Sequence, residues 1–471
     1  MSSDTQGSYD LAVLGGGSAG FAAAIRAVEL GARVAMVNEG TIGGTCVNVG
    51  CIPSKTVIRA AEARHVQSHH GFDGVARSEE PVDWARIRAG KDDLVTALRT
   101  AKYENVLRGY PEITLIEGRG VLDEEGRVRL SHGTPVPGER VVVATGSSPW
   151  APDVPGLAGA GYLDSTALLD LGELPGSLAV LGAGSVGVEL AQAYARLGVR
   201  VTILARSRVL STEDPDVSAE LTRHLRDEGI GVATHVTLES VERTASGRLI
   251  HYRAGDAEAT SLEADQILVA AGRRPNTDAI GLETAGVELG PSLEIVVDAE
   301  LRTSNPRVFA GGDVTGGPMH VYVAAHTASL AAENALGGTK KLDLSVLPRV
   351  TFTSPAVASV GLTEQEARES GMEPLVSKLP LEQVPRALAA RDTRGFVKLV
   401  ADAATRRIVG AHIVAAEAGE MIMEPTLAVR FGLTIDDLTS TLHPYLTLSE
   451  GIKLAALTFE KDVATLSCCA V

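Results

Sequence analysis

Two stretches of the chain repeat one pattern of apolar and polar positions. Each has a short unbroken apolar run, a cluster of glycines, an alanine-rich segment with spaced polar residues, and a second apolar run. The first is YDLAVLGGGSAGFAAAIRAVELGARVAMVNE, from Tyr9 to Glu39, and the second is SLAVLGAGSVGVELAQAYARLGVRVTILAR, from Ser177 to Arg206. Runs such as LAVL, apolar at every position rather than at alternate ones, predict strands buried on both faces, as in a parallel sheet. The alanine-rich segments between them predict helices, so each stretch reads as a strand–helix–strand unit. A chain carrying two such units is predicted to be α/β.

The glycine clusters point to what the units hold. Gly15, Gly17 and Gly20 form a G-x-G-x-x-G turn in the first unit; Gly182, Gly184 and Gly187 form another in the second. The first glycine of each allows the tight turn, the second lets a pyrophosphate approach the backbone, and the third allows close helix packing. The helix N-terminus adds the partial positive charge that phosphates favour. Two copies, each in full context, predict two bound dinucleotides. The residue 23 positions beyond the first glycine is Asn38 in the first unit and Ala205 in the second. An acid there would hold ribose hydroxyls. Its absence from the second unit, where Arg206 and Arg208 follow, points to a 2′-phosphate and so to NADPH. In the first unit the acid is displaced by one position, to Glu39; FAD is expected there, with Asn38 or Glu39 on its ribose.

The whole sequence narrows the setting. At roughly 150 residues per domain, 471 residues suggest about three domains. A net charge of −16 argues against nucleic acid and against anionic membranes as partners. No basic-then-apolar leader opens the chain and no apolar run is long enough to span a bilayer, so a soluble, cytoplasmic protein is expected. Four cysteines in such a length are no secreted disulfide framework.

Two of those cysteines, Cys46 and Cys51, lie in GGTCVNVGCIPSK just after the first unit. Their spacing lets the sulfurs meet across a distorted first helical turn, where the dipole and nearby amides favour a thiolate. A zinc site would need further ligands, and no Cys or His stands at ligand spacing nearby. His65, His69 and His70, in RHVQSHH, read as a solvated helix end. The remaining cysteines, Cys468 and Cys469, are neighbours in LSCCAV. Successive Cα atoms lie about 3.8 Å apart, below the roughly 4.4–6.8 Å of ordinary disulfides, so this pair is expected to stay as thiols.

GGTCVNVGCIPSK resembles the active-site motif of the FAD-dependent pyridine nucleotide–disulfide oxidoreductases, and the resemblance extends over nearly the whole chain. VVVATGSSP (141–149) and AAGRRPN (270–276) resemble the segments where the chain enters and leaves the NADPH domain. TSNPRVFAGGD (303–313) resembles the second FAD motif, and VTFTSPAVASVG (350–361) the start of the dimerisation domain. The resemblance implies two Rossmann-like domains and a C-terminal α+β dimerisation domain. FAD binding would occupy 1–150, NADPH binding 151–275, a central part completing the FAD site 276–345, and dimerisation 346–471. It places Thr45, Thr145, Gly146, Gly272 and Asp313 at the cofactors, with Asp313 on the ribityl chain. Cys51 would face the flavin, Cys46 would exchange with substrate, and Lys55, near the flavin, would pair with Glu189. A homodimer whose active sites draw on both chains is implied as well.

The substrate is where the chain departs from the pattern. Disulfide-reducing members carry a histidine–glutamate pair in a run resembling H-P-T-L-S-E, and this chain reads HPYLTLSE. Aligned on Glu450, the base position holds Tyr445, and His443 falls two residues earlier. A tyrosine, with an ordinary pKa of about 10, is a poor manager of the proton of a released thiolate. The substrate is therefore expected to be reduced without proton transfer at sulfur. Soft Hg(II), usually content with two sulfurs, meets that requirement. Lys102-Tyr103, VPRALAARDTRGFVKLV (384–400), Tyr445 and the terminal LSCCAV resemble the Hg(II)-reducing members of the family. By that resemblance, Cys468 and Cys469 of one subunit would take Hg(II) from thiol complexes and pass it to Cys46 and Cys51 of the other, with Tyr103 and Tyr445 flanking the metal. Because the first strand begins close to Met1, no separate N-terminal metal-binding domain is expected. Two alternatives stand beside this reading. One is a thiol–disulfide reductase of the dihydrolipoyl dehydrogenase or glutathione reductase type, using His443 as its base. The other is a mercury-binding or redox-sensing flavoprotein without turnover.

Overall fold

The structure, a computed structural model, describes residues 8–78 and 80–462. Tyr9–Leu14 is the centre of a five-stranded parallel sheet, flanked by Val34–Asn38 and Ile113–Glu117 on one side and by Gly138–Val143 and Val308–Ala310 on the other. Leu11, Ala12 and Val13 are fully buried, as an unbroken apolar run requires when helices cover one face of the sheet and a three-stranded antiparallel sheet the other. The helix Ser18–Glu29 packs on Val321–Ala335 through Ala23, Ala24 and Ala27 against Ala328, Ala331 and Ala335, small side chains that let the axes approach. An ion pair between Arg26 and Glu333, 2.8 Å, closes the edge of that contact. The chain beyond residue 276 thus returns to the first sheet.

The second unit builds a four-stranded parallel sheet in the order Gly231–Ala233, Arg200–Leu204, Ser177–Leu181, Gln266–Val269. Beyond it the chain forms a five-stranded antiparallel sheet, Arg349–Thr351, Ala356–Gly361, Ile408–Ala415, Phe396–Asp402 and Pro374–Pro380, with helices on one face. The expected class, two Rossmann-like α/β units followed by an α+β unit, holds. No helix among the described residues is long and apolar enough to cross a membrane.

Charged groups tie the second unit to the third. Glu228 accepts from Arg196 at 2.6 Å and from Arg394 at 3.5 Å, and both arginines also reach the Ser354 carbonyl. Glu213 takes Arg349 at 3.0 Å and the buried Ser359 hydroxyl at 2.5 Å. Asp214 caps the helix Pro215–Asp227 through the amide of Asp216 with one oxygen and meets Lys398 at 2.9 Å with the other. The loop after Arg200–Leu204, where the second nucleotide is expected, is therefore anchored in the third sheet.

Candidate active site

Both glycine turns sit where their strands end. Gly15 and Gly182 have φ of +117° and +115°, and a Cβ on either would lie 2.3 Å from a carbonyl oxygen, of Ala144 and Ala270 respectively. Glycine alone satisfies that geometry. Gly17 and Gly184 precede the helices Ser18–Glu29 and Ser185–Arg196 and bring no side-chain cap, so the first-turn amides are left for an anionic ligand.

The first turn is stitched to the thiol segment. Gly43 donates its amide to the Gly16 carbonyl at 2.7 Å, and a Cβ on Gly44 would lie 2.6 Å from the Gly17 Cα. Cys46 lies in the short helix Gly44–Asn48, and Cys51 opens the long helix Cys51–His69. This differs from one distorted turn: Val49 and Gly50 break the helix, with the position of a Gly50 Cβ only 2.9 Å from the Thr45 carbonyl. Pro53 fits the first turn of the second helix, where a missing N–H costs no hydrogen bond.

Cys46 and Cys51 are not disulfide-bonded to each other, and both are half-buried. Cys46 donates a hydrogen bond to Cys51, which pulls the Cys51 thiol down to about 7; burial opposes this and the Lys55 charge assists. The same hydrogen bond, with burial, pushes Cys46 up. Cys51 is the more acidic of the pair. Lys55 Nζ lies 2.5 Å from Glu189, whose carboxylate is buried and also accepts the Phe352 amide at 2.9 Å.

Tyr103 stands in a π-helical turn, Thr100–Glu104, inserted between the α-helices Trp84–Arg99 and Asn105–Gly109. Its hydroxyl meets Ser18 at 3.1 Å and its ring packs edge-on against Phe21, centroids 4.8 Å apart. Burial raises its pKa, and Cys46 and Cys51 are close enough to add to that.

The remaining expected residues fall into three groups. Asn38 uses its side chain to accept the Gly16 amide at 2.9 Å and to donate to the Gly40 carbonyl, while Glu39 and Thr45 are exposed. Thr145 and Gly146 are laced to Asn276, and Asp313 accepts from Ser147 at 2.7 Å, with Arg273 donating to the same Ser147. Gly272, at φ +139°, has open space where a Cβ would sit. In the second unit Arg206 is exposed, but Arg208 turns back to the carbonyls of Ser211 and Glu213. In the third unit Tyr445 is half exposed on the loop before the helix Glu450–Leu457, and Glu450 accepts the Leu446 amide at 3.3 Å. His443 is occupied by a different acid, Glu424, at 2.7 Å on Nε2, with Nδ1 on the Thr441 carbonyl at 3.1 Å. Of the histidine run, His65 and His69 stack at 4.3 Å, and burial lowers the His65 pKa to about 4. Cys468 and Cys469 lie outside the described residues. Sequence reasoning did not single out Ser147, Arg273 and Phe352 within the motifs that contain them: Ser147 meets Asp313, Arg273 meets Ser147 and Phe352 meets Glu189, each across more than 120 positions of chain.

Residues 9–328 match the family described as Pyridine nucleotide-disulphide oxidoreductase, and residues 347–456 match its dimerisation domain. The chain belongs to this family. Membership implies binding of FAD and of a nicotinamide dinucleotide. Among curated relatives, a mercuric reductase of Streptomyces lividans is 47% identical over 98% of both chains. One from Bacillus cereus is 48% identical over 98% of this chain and 73% of its own. Among solved structures, the Cu(II) complex of the HOCl-induced flavoprotein disulfide reductase RclA from Escherichia coli superposes with a TM-score of 0.86 at 31% identity, covering 96% of this chain and 100% of the other.

Proposed function

We propose that this oxidoreductase uses NADPH and FAD to reduce Hg(II) to Hg(0), as a cytoplasmic homodimer detoxifying mercury. The 47% identity to a mercuric reductase across 98% of both chains carries the reading. The site is consistent with it: the position five residues before Glu450 holds Tyr445, and His443 pairs with Glu424 instead of Glu450.

The residues fit both cofactors. FAD would lie across the Gly15–Gly20 turn, with Asp313, Thr145 and Gly146 along it and Lys55 near its reactive ring; NADPH would lie across the Gly182–Gly187 turn. Bound FAD supplies a relay from a hydride donor to a two-electron acceptor. Cys46 and Cys51 would hold Hg(II) as thiolates, and the Cys51 thiolate is already favoured by its hydrogen bond and by Lys55. The metal takes up two electrons, its S–Hg bonds break, and Hg(0) leaves with both sulfurs unchanged in oxidation state. NADPH ends as NADP⁺ and a proton. Tyr103, its pKa raised further by burial, would stand protonated beside the thiols with its hydroxyl on Ser18.

The test is NADPH oxidation by purified protein with Hg(II) in excess small thiol, against oxidised glutathione and lipoamide, with mercury vapour collected. Hg(II)-driven oxidation matched by vapour supports the reading. Turnover of disulfides, with Hg(II) only inhibiting, would favour a disulfide reductase, for which the likeness to RclA speaks.

Two finer assignments have their own tests. With Arg208 bound to its own loop, Arg206 is the residue left for a 2′-phosphate. Arg206→Ala should raise KM for NADPH by about tenfold while leaving NADH unaffected, as loss of a charge-assisted hydrogen bond predicts. An equal change for both nucleotides would refute it. The terminal pair, Cys468 and Cys469, would capture Hg(II) and hand it to the partner's thiols by exchange. Replacing both by Ala should lower kcat/KM at limiting Hg(II) in excess thiol by about tenfold or more, through loss of local concentration. Unchanged turnover would rule the handover out.

A further inference from the structure

The Lys55 charge lowers the Cys51 thiol, and the Lys55 side chain is about one-third exposed, 35%. A flexible four-carbon stem held only at its tip by Glu189 could swing. A second contact restrains it: the Phe352 ring lies with its centroid 4.6 Å from Lys55 Nζ. The Phe352 amide meanwhile occupies Glu189 Oε1 at 2.9 Å, while Lys55 takes Oε2 at 2.5 Å, so both carboxylate oxygens are committed. The strand that delivers Phe352 is itself pinned. Thr351 Oγ1 meets Ser185 Oγ, at the start of the second nucleotide helix, at 2.8 Å, and Arg349 meets Glu213 at 3.0 Å. Phe352 is 43% exposed, so the ring is no core anchor; its contact with Lys55 is the specific one.

We propose that Phe352, brought by the third unit, is a positioning residue whose ring and amide hold the Lys55–Glu189 pair at the thiols. The proposal rests on the flavoprotein reading above. It makes the electrostatics of the thiol pair depend on a residue from the far end of the chain. The charged or titratable groups acting with Cys51 are Cys46, Lys55, Glu189, Tyr103 and Arg273.

The test uses the holoenzyme with its thiols reduced and flavin oxidised, titrating with pH the long-wavelength absorption that a thiolate gives against flavin. Phe352→Leu keeps the amide and removes the aromatic face; Phe352→Tyr keeps both. Leu should move the midpoint upward by about half to one pH unit, the scale of a partly exposed cation–π contact, and Tyr should leave it in place. A midpoint unmoved or lowered in Leu, or moved equally in Tyr, overturns the positioning role. A wild-type protein without flavin absorbance overturns the flavoprotein reading, and the proposal with it.

Discussion

Replacing Cys51 by serine is expected to reduce Hg(II)-driven NADPH oxidation on the order of a thousandfold or more, the scale on which enzymes lose a reacting group that acts as part of a unit. A serine hydroxyl is a hard ligand that stays protonated near neutral pH, whereas the metal needs a soft, ionised sulfur. The Cys51 thiol is pulled down to about 7 by the hydrogen bond from Cys46 and by Lys55. The sign of the pH dependence follows. Above about 7 the thiolate predominates and metal competes with no proton; as pH falls through that value a proton occupies the sulfur and Hg(II) binding weakens. Steady-state turnover from acid to mildly alkaline pH checks both statements. Activity retained by Cys51→Ser would place the chemistry elsewhere.

Glu228→Ala is expected to cost about 3–5 kcal/mol of stability, because it breaks a buried ion pair from one side. Arg196 has a side chain only 4% exposed, and its guanidinium is held by Glu228 at 2.6 and 2.8 Å. Without the carboxylate, Arg196 keeps the Ser354 carbonyl but loses its counter-charge, and Arg394 loses one of its acids. The loss falls at the junction of the second and third units, so the thermal midpoint of the intact chain is the measurement. Glu228→Gln, which keeps an acceptor, should fall between wild type and Ala. A midpoint unaltered in Ala would show that the junction does not depend on this pair.

Local features of the chain were legible and distant ones were not. The glycine turns could be read because tight turns at Gly15 and Gly182 need residues that tolerate positive φ, a demand written within a few positions. The thiol pair was readable from its spacing, but the break at Val49 and Gly50 was not, since it depends on backbone crowding against Thr45. Arg206 and Arg208 look alike in sequence; only the carbonyls of Ser211 and Glu213 distinguish them. His443, the base of the alternative reading, pairs with Glu424 on a preceding helix, a partner its own segment does not announce. Each of these outcomes turns on a partner that composition and periodicity do not reveal.

The π-helical turn at Thr100–Glu104 carries a consequence for how Tyr103 is aimed. Residues in an α-helix advance by about 100° each, so one extra residue in a turn rotates everything beyond it by that amount relative to what came before. The segment from Trp84 to Gly109 is thus two helical rods out of phase, with Tyr103 at the phase step. Excising one residue there would leave a smooth rod of the same chemical makeup and turn the phenol off its bearing toward Ser18 and the thiols. The tyrosine's orientation is a vernier setting, held by angle rather than by any single neighbour.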